Sequence, residues 1–100
     1  MSNVTITKHL RIYGRVQGVS YRAWSVEVAL ALNLTGWVRN RLDGSVEALV
    51  SGSEESVSHF LTACNKGPKL ANVESIDICE GHNKNLESFE FRDTAQLQNG

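Results

Sequence analysis

The residues best suited to chemistry lie in one short stretch near the N-terminus, from Gly14 to Arg22. Gly14 and Gly18 allow a tight turn and let the backbone approach a ligand closely. If the stretch leads into a helix, the unpaired N–H groups and the dipole at the helix N-terminus favour a bound anion. Arg22 adds a planar guanidinium that can bind two oxygens of one anion. Strand-to-helix turns also carry glycine for purely steric reasons, so this stretch alone leaves both interpretations open.

Other arrangements of catalytic side chains are missing from the sequence. Neither the P-loop nor the dinucleotide-binding glycine motif occurs, and the serines near the loop, Ser20 and Ser25, have no evident partner base. The three histidines are far apart in the chain, and we expect solvated positions for all of them: His9, His59 and His82. The two cysteines lack the spacing of a zinc site and are interpreted as structural thiols: Cys64 and Cys79. The sequence therefore predicts no metal site and no cofactor.

Composition limits the possible partners. One hundred residues with 41% hydrophobic content suit one domain. The net charge is −1, so no overall basic field favours a nucleic acid or an anionic membrane. Residues 1–50 contain six Lys/Arg and three Asp/Glu, a balance of +3 that leaves −4 for the rest, and this asymmetry can steer a small anion toward the glycine loop. Because the chain has no apolar signal region or membrane-length apolar run, we expect a cytoplasmic protein.

Hydrophobic periodicity and turn residues predict the order of the elements. They are a strand from Val4 to Tyr13, a helix from about Val19 to Leu32, strands over residues 36–40 and 45–50 joined at Asp43-Gly44, a helix after the N-cap Ser53, a strand from Val73 to Cys79 and a short strand from Phe89 to Arg92. This order predicts an α+β fold, a ferredoxin-like βαββαβ sandwich with two helices on one face of a mostly antiparallel sheet of four or five strands.

The same patterns predict which side chains are buried. In the first helix the expected buried row is Val19, Ala23, Val26 and Leu30. In the second helix it is Val57, Phe60, Leu61 and Cys64. In the second hairpin strand we expect a single face to meet the core, formed by Val46, Ala48 and Val50. Residues 1–100 are interpreted as one domain with a core of about 4–92, followed by a polar C-terminal tail over 93–100 that is expected to fray.

Two segments resemble the signatures of the acylphosphatase family. The segment GRVQGVSYR, residues 14–22, is similar to the first signature, although Tyr21 stands where phenylalanine is commoner. The segment GWVRNRLDGSV, residues 36–46, followed by Gly52, is similar to the second. The resemblance covers essentially residues 8–92, and the family's ferredoxin-like fold agrees with the predicted elements. We also expect the chain to be complete rather than a domain taken from a larger maturation protein.

The resemblance implies a function and a set of site residues. It implies hydrolysis of small acyl phosphates to a carboxylate and inorganic phosphate by a monomer without metal or cofactor, with phosphate also acting as a competitive inhibitor. Arg22 would hold the phosphate and Asn40 would position the attacking water. The phosphate-binding loop would be formed by Arg15, Val16, Gln17, Gly18, Val19, Ser20 and Tyr21.

A non-catalytic module is the alternative. Ferredoxin-like folds also bind RNA or regulatory metabolites, and RNA binding requires exposed aromatic side chains on the sheet and a basic surface. Tyr13 and Trp37 are possible sheet aromatics, but the chain has no RNP motif and a slightly negative net charge. We therefore expect neither a nucleic-acid nor a membrane partner.

Overall fold

The structure, a computed structural model, describes residues 4–82 and 86–94. Its elements follow the predicted order, with five strands and two helices in this part of the chain. They are β1 (Thr5–Arg15), α1 (Tyr21–Ala31), β2 (Thr35–Asn40), β3 (Val46–Ser53), α2 (Glu54–Lys66), β4 (Asn72–Glu80) and β5 (Phe89–Phe91). Most of the predicted tail, residues 95–100, lies outside the described residues, and the single-domain assignment stays a prediction.

The five strands form one sheet in the order β4-β1-β3-β2-β5. All neighbouring pairs are antiparallel except β2 and β5, which run parallel. Both helices pack against the sheet and against each other, and their buried side chains join those of β1, β2 and β3 in one hydrophobic cluster. The ferredoxin-like α+β prediction is therefore confirmed.

The buried row of α1 differs from the prediction. Tyr21, Ser25 and Ala29 are buried, whereas Leu30 is 50% exposed. Small side chains at two of these three positions let the helix approach the sheet closely, and the Ser25 hydroxyl is satisfied because it donates to the Arg22 carbonyl at 2.8 Å. Apolar side chains lie on several sides of this helix, so hydrophobicity alone indicated the wrong row.

Helix α2 follows its sequence signals more closely. The Ser53 hydroxyl accepts a hydrogen bond from the Ser56 N–H at 3.1 Å, which confirms the predicted N-cap. Three predicted core residues are fully buried, and Leu61 is half-buried at the edge of the same cluster. The buried ones are Val57, Phe60 and Cys64.

In strand β3 the predicted face meets the core, since Val46, Ala48 and Val50 belong to the hydrophobic cluster, but the opposite face is buried as well. Glu47, Leu49 and Ser51 are only 7%, 6% and 2% exposed, although they point away from the helices. Side chains of the flanking strands cover them. The Thr7 and Ser51 hydroxyls, for example, form a hydrogen bond at 2.9 Å.

Strand β4 is an edge strand and carries the second cysteine. Cys79 is exposed, so its interpretation as a structural thiol was wrong, whereas Cys64 lies in the core as expected. The alternation of β4 places Cys79 on the helix-free face, where its sulfur lies 3.9 Å from His9 Nδ1. Within residues 4–82 and 86–94, no helix has the length and apolar character that crossing a bilayer requires.

Candidate active site

A cavity of about 400 Å³ opens where the loop after β1 meets the ends of β2 and β5. The loop supplies most of its wall, the first turn of α1 supplies the floor, and single residues from β2 and β5 close the other side. The lining residues are Val16, Gln17, Gly18, Ser20, Tyr21, Arg22, Ala23, Asn40 and Phe91.

The backbone of the loop depends on glycine at two points. Gly14 has a φ of 122°, and a Cβ there would lie 2.2 Å from the Asn72 carbonyl oxygen, so only glycine lets β1 remain beside β4. Gly18 has a φ of 75° with open space around it, so its requirement is conformational rather than steric. Ser20 also adopts the left-handed conformation, with a φ of 64°, which is uncommon for a residue with a side chain.

The N-terminus of α1 lacks the usual side-chain cap. The Ser20 carbonyl accepts the first helical hydrogen bond, from the Trp24 N–H at 3.0 Å, but its hydroxyl caps nothing and no acidic residue lies in the first turn. By contrast, α2 has both a serine cap and two glutamates there. The first turn of α1 lines the cavity, and the positive end of the helix dipole has no compensating negative group from the helix itself.

Arg22 is held by the C-terminal strand. Its Nη1 donates to the carbonyl oxygen of Arg92 at 3.0 Å, and its guanidinium carbon lies 4.1 Å from the centre of the Phe91 ring. This stacking orients the guanidinium plane. A guanidinium has five N–H donors, so one hydrogen bond to a carbonyl leaves most of them available to an anion.

Asn40 lies across the cavity from the loop, as the last residue of β2. It is paired in register with Val46 of β3, which fixes its backbone, and its side chain is half-buried. Within the described residues its carboxamide makes no hydrogen bond, so both its donor and its acceptor are available to a water molecule or a ligand.

The Gln17 side chain extends from the loop to the β2–β3 turn. Its Nε2 donates to the carbonyl oxygens of Arg41 and Ser45, each at 2.8 Å. Gln17 thus bridges the two segments that supply the loop wall and Asn40.

The structure brings together most of the predicted site residues. Seven of the nine line the cavity, including both predicted catalytic residues, Arg22 and Asn40. Arg15 instead forms the last pair of β1, opposite Asn72, and the Val19 side chain is in the core. Sequence analysis missed Ala23 and Phe91. Ala23 follows from helical spacing after Ser20. No local signal identifies Phe91, because the pairing of β2 with β5 places it at the cavity.

Tyr21 ties the base of the loop to the other helix. Its side chain is 1% exposed, and its hydroxyl donates to the carbonyl oxygen of Cys64 at 2.7 Å. Burial, with a smaller contribution from Cys64, raises the pKa of Tyr21 far above its ordinary value, and burial raises the pKa of the Cys64 thiol to about 12. Both groups are therefore neutral at physiological pH and serve packing.

Glu47 is the centre of a charged cluster on the helix-free face. Its Oε1 accepts from Arg39 at 2.7 Å and from Arg41 at 3.1 Å, and its Oε2 lies 2.6 Å from His9 Nε2. Burial alone would raise the pKa of Glu47, but the hydrogen bonds and charges of Arg39 and His9 outweigh it and lower that pKa below its usual value. His9 is thus partnered rather than solvated as predicted, while His59 and His82 are exposed.

No cluster of three or more metal-ligating side chains occurs in residues 4–82 and 86–94. Trp37, a possible RNA-stacking residue, lies beneath the guanidinium groups of Arg39 and Arg92, whose central carbons are 4.9 and 5.2 Å from its ring centre. Its ring is therefore already occupied by protein contacts.

The fold and the site define a small ferredoxin-like α+β protein with a pocket suited to a compact anion. The acylphosphatase family model matches residues 8–91. An acylphosphatase from Acidovorax sp. (strain JS42) is 45% identical over 93 residues, which cover 93% of this chain and 96% of the relative. The chain belongs to the acylphosphatase family.

Solved structures agree with this assignment. The structure of an acylphosphatase from Coxiella burnetii superimposes with a TM-score of 0.85 at 31% identity and covers 90% of this chain and 94% of that one. Full-length HypF in its phosphate- and nucleotide-bound form also gives a TM-score of 0.85, at 25% identity, but the match covers only 13% of that chain. The family relationship was correctly identified from the two sequence segments, and the comparisons do not favour the non-catalytic alternative.

Proposed function

We propose that the protein hydrolyses small acyl phosphates to a carboxylate and inorganic phosphate, with Arg22 and the loop N–H groups binding the phosphoryl group and Asn40 orienting water. The observation that carries this proposal is that Arg22, the first turn of α1 and Asn40 line the same cavity of about 400 Å³, and that within the described residues neither the helix N-terminus has a side-chain cap nor the Asn40 carboxamide a hydrogen bond. Membership of the acylphosphatase family supports the substrate class.

The chemistry fits a site without an acidic or basic catalyst. The water oxygen forms a bond to phosphorus while the bond from phosphorus to the acyl oxygen breaks, and its electron pair leaves with the carboxylate. Because a carboxylic acid has a pKa of about 4, this group departs without protonation. The proton of the water passes to a phosphate oxygen of the substrate. The protein then needs only to position the reactants and stabilise the equatorial oxygens.

Arg22 is preorganised for the stabilising role. Its contacts with Phe91 and the Arg92 carbonyl fix the guanidinium before substrate arrives, so little side-chain entropy is lost on binding. The positive end of α1 adds N–H donors beside it. The chain's own groups therefore supply the positive charge that the reaction requires.

Arg22→Lys tests the phosphate-binding role. The substitution keeps the charge but removes the planar fork, so we expect a loss of activity of about 100-fold or more and a clear weakening of competitive inhibition by phosphate. Arg39→Lys is a matched control, because Arg39 pairs with Glu47 on the helix-free face and does not line the cavity. Near-normal turnover of Arg22→Lys would contradict the proposed function.

Asn40→Ala separates water orientation from phosphate binding. If the carboxamide acts mainly on the water, kcat falls strongly while the inhibition constant for phosphate changes little. Circular dichroism provides the control, since Asn40 ends a hairpin strand. A folded variant with normal kcat and weakened phosphate inhibition would assign Asn40 to anion binding instead.

The proposal includes a cytoplasmic monomer without nucleic-acid or membrane partners. The sequence supports it by its near-neutral net charge of −1. Light scattering coupled to gel filtration measures the mass in solution, and a stable dimer would contradict this part of the proposal.

A further inference from the structure

We propose that Gln17 is a positioning residue that sets the separation between the phosphate-binding loop and Asn40. This inference rests on the proposed function, because it concerns the geometry of the same site. The backbone of Gln17 belongs to the loop that leads into α1 and Arg22, whereas its side chain is bonded to the turn that follows Asn40.

Both hydrogens of the Gln17 carboxamide have an acceptor in the turn. Nε2 lies 2.8 Å from the Arg41 carbonyl and 2.8 Å from the Ser45 carbonyl. Arg41 directly follows Asn40 in the chain, so one of these bonds ends a single residue from the carboxamide that faces the cavity. A side-chain amide satisfies both carbonyls at once, since its nitrogen carries two donors.

The turn is a firm anchor for this bond. The Arg41 N–H donates to the Ser45 carbonyl at 2.9 Å, which closes the turn. The Asp43 carboxylate accepts from the Ser45 N–H at 2.9 Å and from its hydroxyl at 2.6 Å. Arg41 is also held by Glu47 on the helix-free face.

The loop, in contrast, contains two residues in the left-handed conformation within three positions after Gln17, namely Gly18 and Ser20. A loop with these backbone angles needs outside contacts to keep one geometry. The Gln17 side chain supplies such a contact through its bonds to the Arg41 and Ser45 carbonyls. Gln17 thereby fixes the gap in which water must lie between Asn40 and the phosphoryl group.

Two substitutions separate the hydrogen bonds of Gln17 from its bulk. Gln17→Met keeps the length of the side chain and removes both donors, and Gln17→Glu keeps the shape but sets an ionised carboxylate against two carbonyl oxygens. A misplacement of about 1 Å can cost about 100-fold in rate, so we expect kcat to fall by about 10- to 100-fold in both variants. The inhibition constant for phosphate should change by a smaller factor than kcat, because Arg22 and the helix N-terminus remain in place even if the loop shifts.

The pH profile of Gln17→Glu provides a signature that a purely structural role lacks. When protonated, the introduced carboxyl can again donate one hydrogen bond to a turn carbonyl. The kcat of this variant relative to wild type should therefore rise as the pH is lowered, while Gln17→Met shows no such recovery. Asn65→Asp is the matched control, because the exposed Asn65 amide also donates to a backbone carbonyl, that of Leu61, but lies far from the cavity on α2.

Two outcomes would overturn the inference. One is a kcat within about 2-fold of wild type in Gln17→Met, since a site that tolerates loss of both bonds is not positioned by them. The other is an unchanged set of backbone amide NMR signals for residues 40–45 in that variant. The NMR measurement does not depend on turnover. If the wild-type protein fails to hydrolyse acyl phosphates, the proposed function is refuted, and the NMR signals still test whether the Gln17 side chain holds the turn.

Discussion

Removing the hydroxyl of Tyr21 is expected to destabilise the protein while sparing its chemistry. The hydroxyl donates at 2.7 Å to the Cys64 carbonyl, which lies in the last turn of α2. The residue four positions later is Pro68, which has no N–H, and the Gly67 N–H is bonded to the Ala63 carbonyl. Tyr21→Phe therefore leaves a buried helix carbonyl without the donor that the tyrosine supplied.

The magnitude follows from the burial of both partners. A typical hydrogen bond contributes about 1 kcal/mol, and an unsatisfied buried group costs about 1–3 kcal/mol, so we expect a loss of about 1–3 kcal/mol in the free energy of unfolding. For a domain of this size, each kcal/mol lowers the Tm by about 4–8 °C. The phenyl ring keeps its packing against Trp24, with ring centres 5.3 Å apart, so kcat at 25 °C should stay close to the wild-type value.

Urea unfolding measures this effect directly. The midpoint of Tyr21→Phe should fall while the m-value stays the same, because the surface exposed on unfolding is unchanged. Tyr13→Phe is the matched control, since Tyr13 is half-buried and its hydroxyl makes no hydrogen bond to the described part of the chain. A change of less than about 0.5 kcal/mol in Tyr21→Phe would show that the hydroxyl bond adds nothing to stability.

Three further predictions concern charge and pH. Glu47→Gln should lower the free energy of unfolding at pH 7 by about 1–3 kcal/mol. Breaking a fully buried ion pair costs about 3–5 kcal/mol, and the cost is smaller here because the cationic partners of Glu47 are partly hydrated. Folding lowers the pKa of Glu47, so this residue stabilises the folded state above the ordinary carboxyl pKa and loses that effect as the pH is lowered. The urea unfolding curves of Glu47→Gln and wild type should therefore converge at low pH, and curves that stay apart would contradict the prediction. Hydrogen bonds from Ser45 are the main reason that the pKa of Asp43 is lowered from 3.8 to about 2. Ionised Asp43 therefore stabilises the folded state, and this stabilisation is lost as the pH falls from 3.8 to about 2. The stability of Asp43→Asn, measured over the same acid range, should not show this decrease. Hydrolysis should survive a metal chelator and show a plateau around neutrality, whereas a limb near pH 6.5 that one histidine substitution removes would indicate a histidine base.

The elements and their order could be predicted because their signals are local. Alternation identified most of the strands, although it is irregular over residues 73–79, and the N-cap Ser53 marks the start of α2. The buried row of α1 could not be predicted, because close approach to the sheet selects the small side chains of Ser25 and Ala29 over the larger Leu30. Burial of the second face of β3 was missed for a related reason, since it depends on side chains from neighbouring strands.

The candidate site was partly predictable. Arg22 and Asn40 follow from the two sequence segments, and the antiparallel pairing of β2 with β3 explains why the end of β2 reaches the loop. The position of Phe91 depends on a parallel pairing between segments about fifty residues apart, for which the sequence has no local signal. The hydrogen-bond partners of the Gln17 side chain could not be predicted either, because they depend on the three-dimensional arrangement of the loop and the turn.

The contact between Arg22 and the β5 segment has a consequence for protein synthesis. Residues 14–22 and 40 leave the ribosome early, whereas Phe91 and Arg92 are among the last described residues to emerge. A nascent chain that ends before β5 still contains the loop and its arginine, but nothing holds the guanidinium over the cavity. We therefore expect phosphate affinity to arise only after β5 has been made, because Phe91 and Arg92 provide the contacts that orient Arg22.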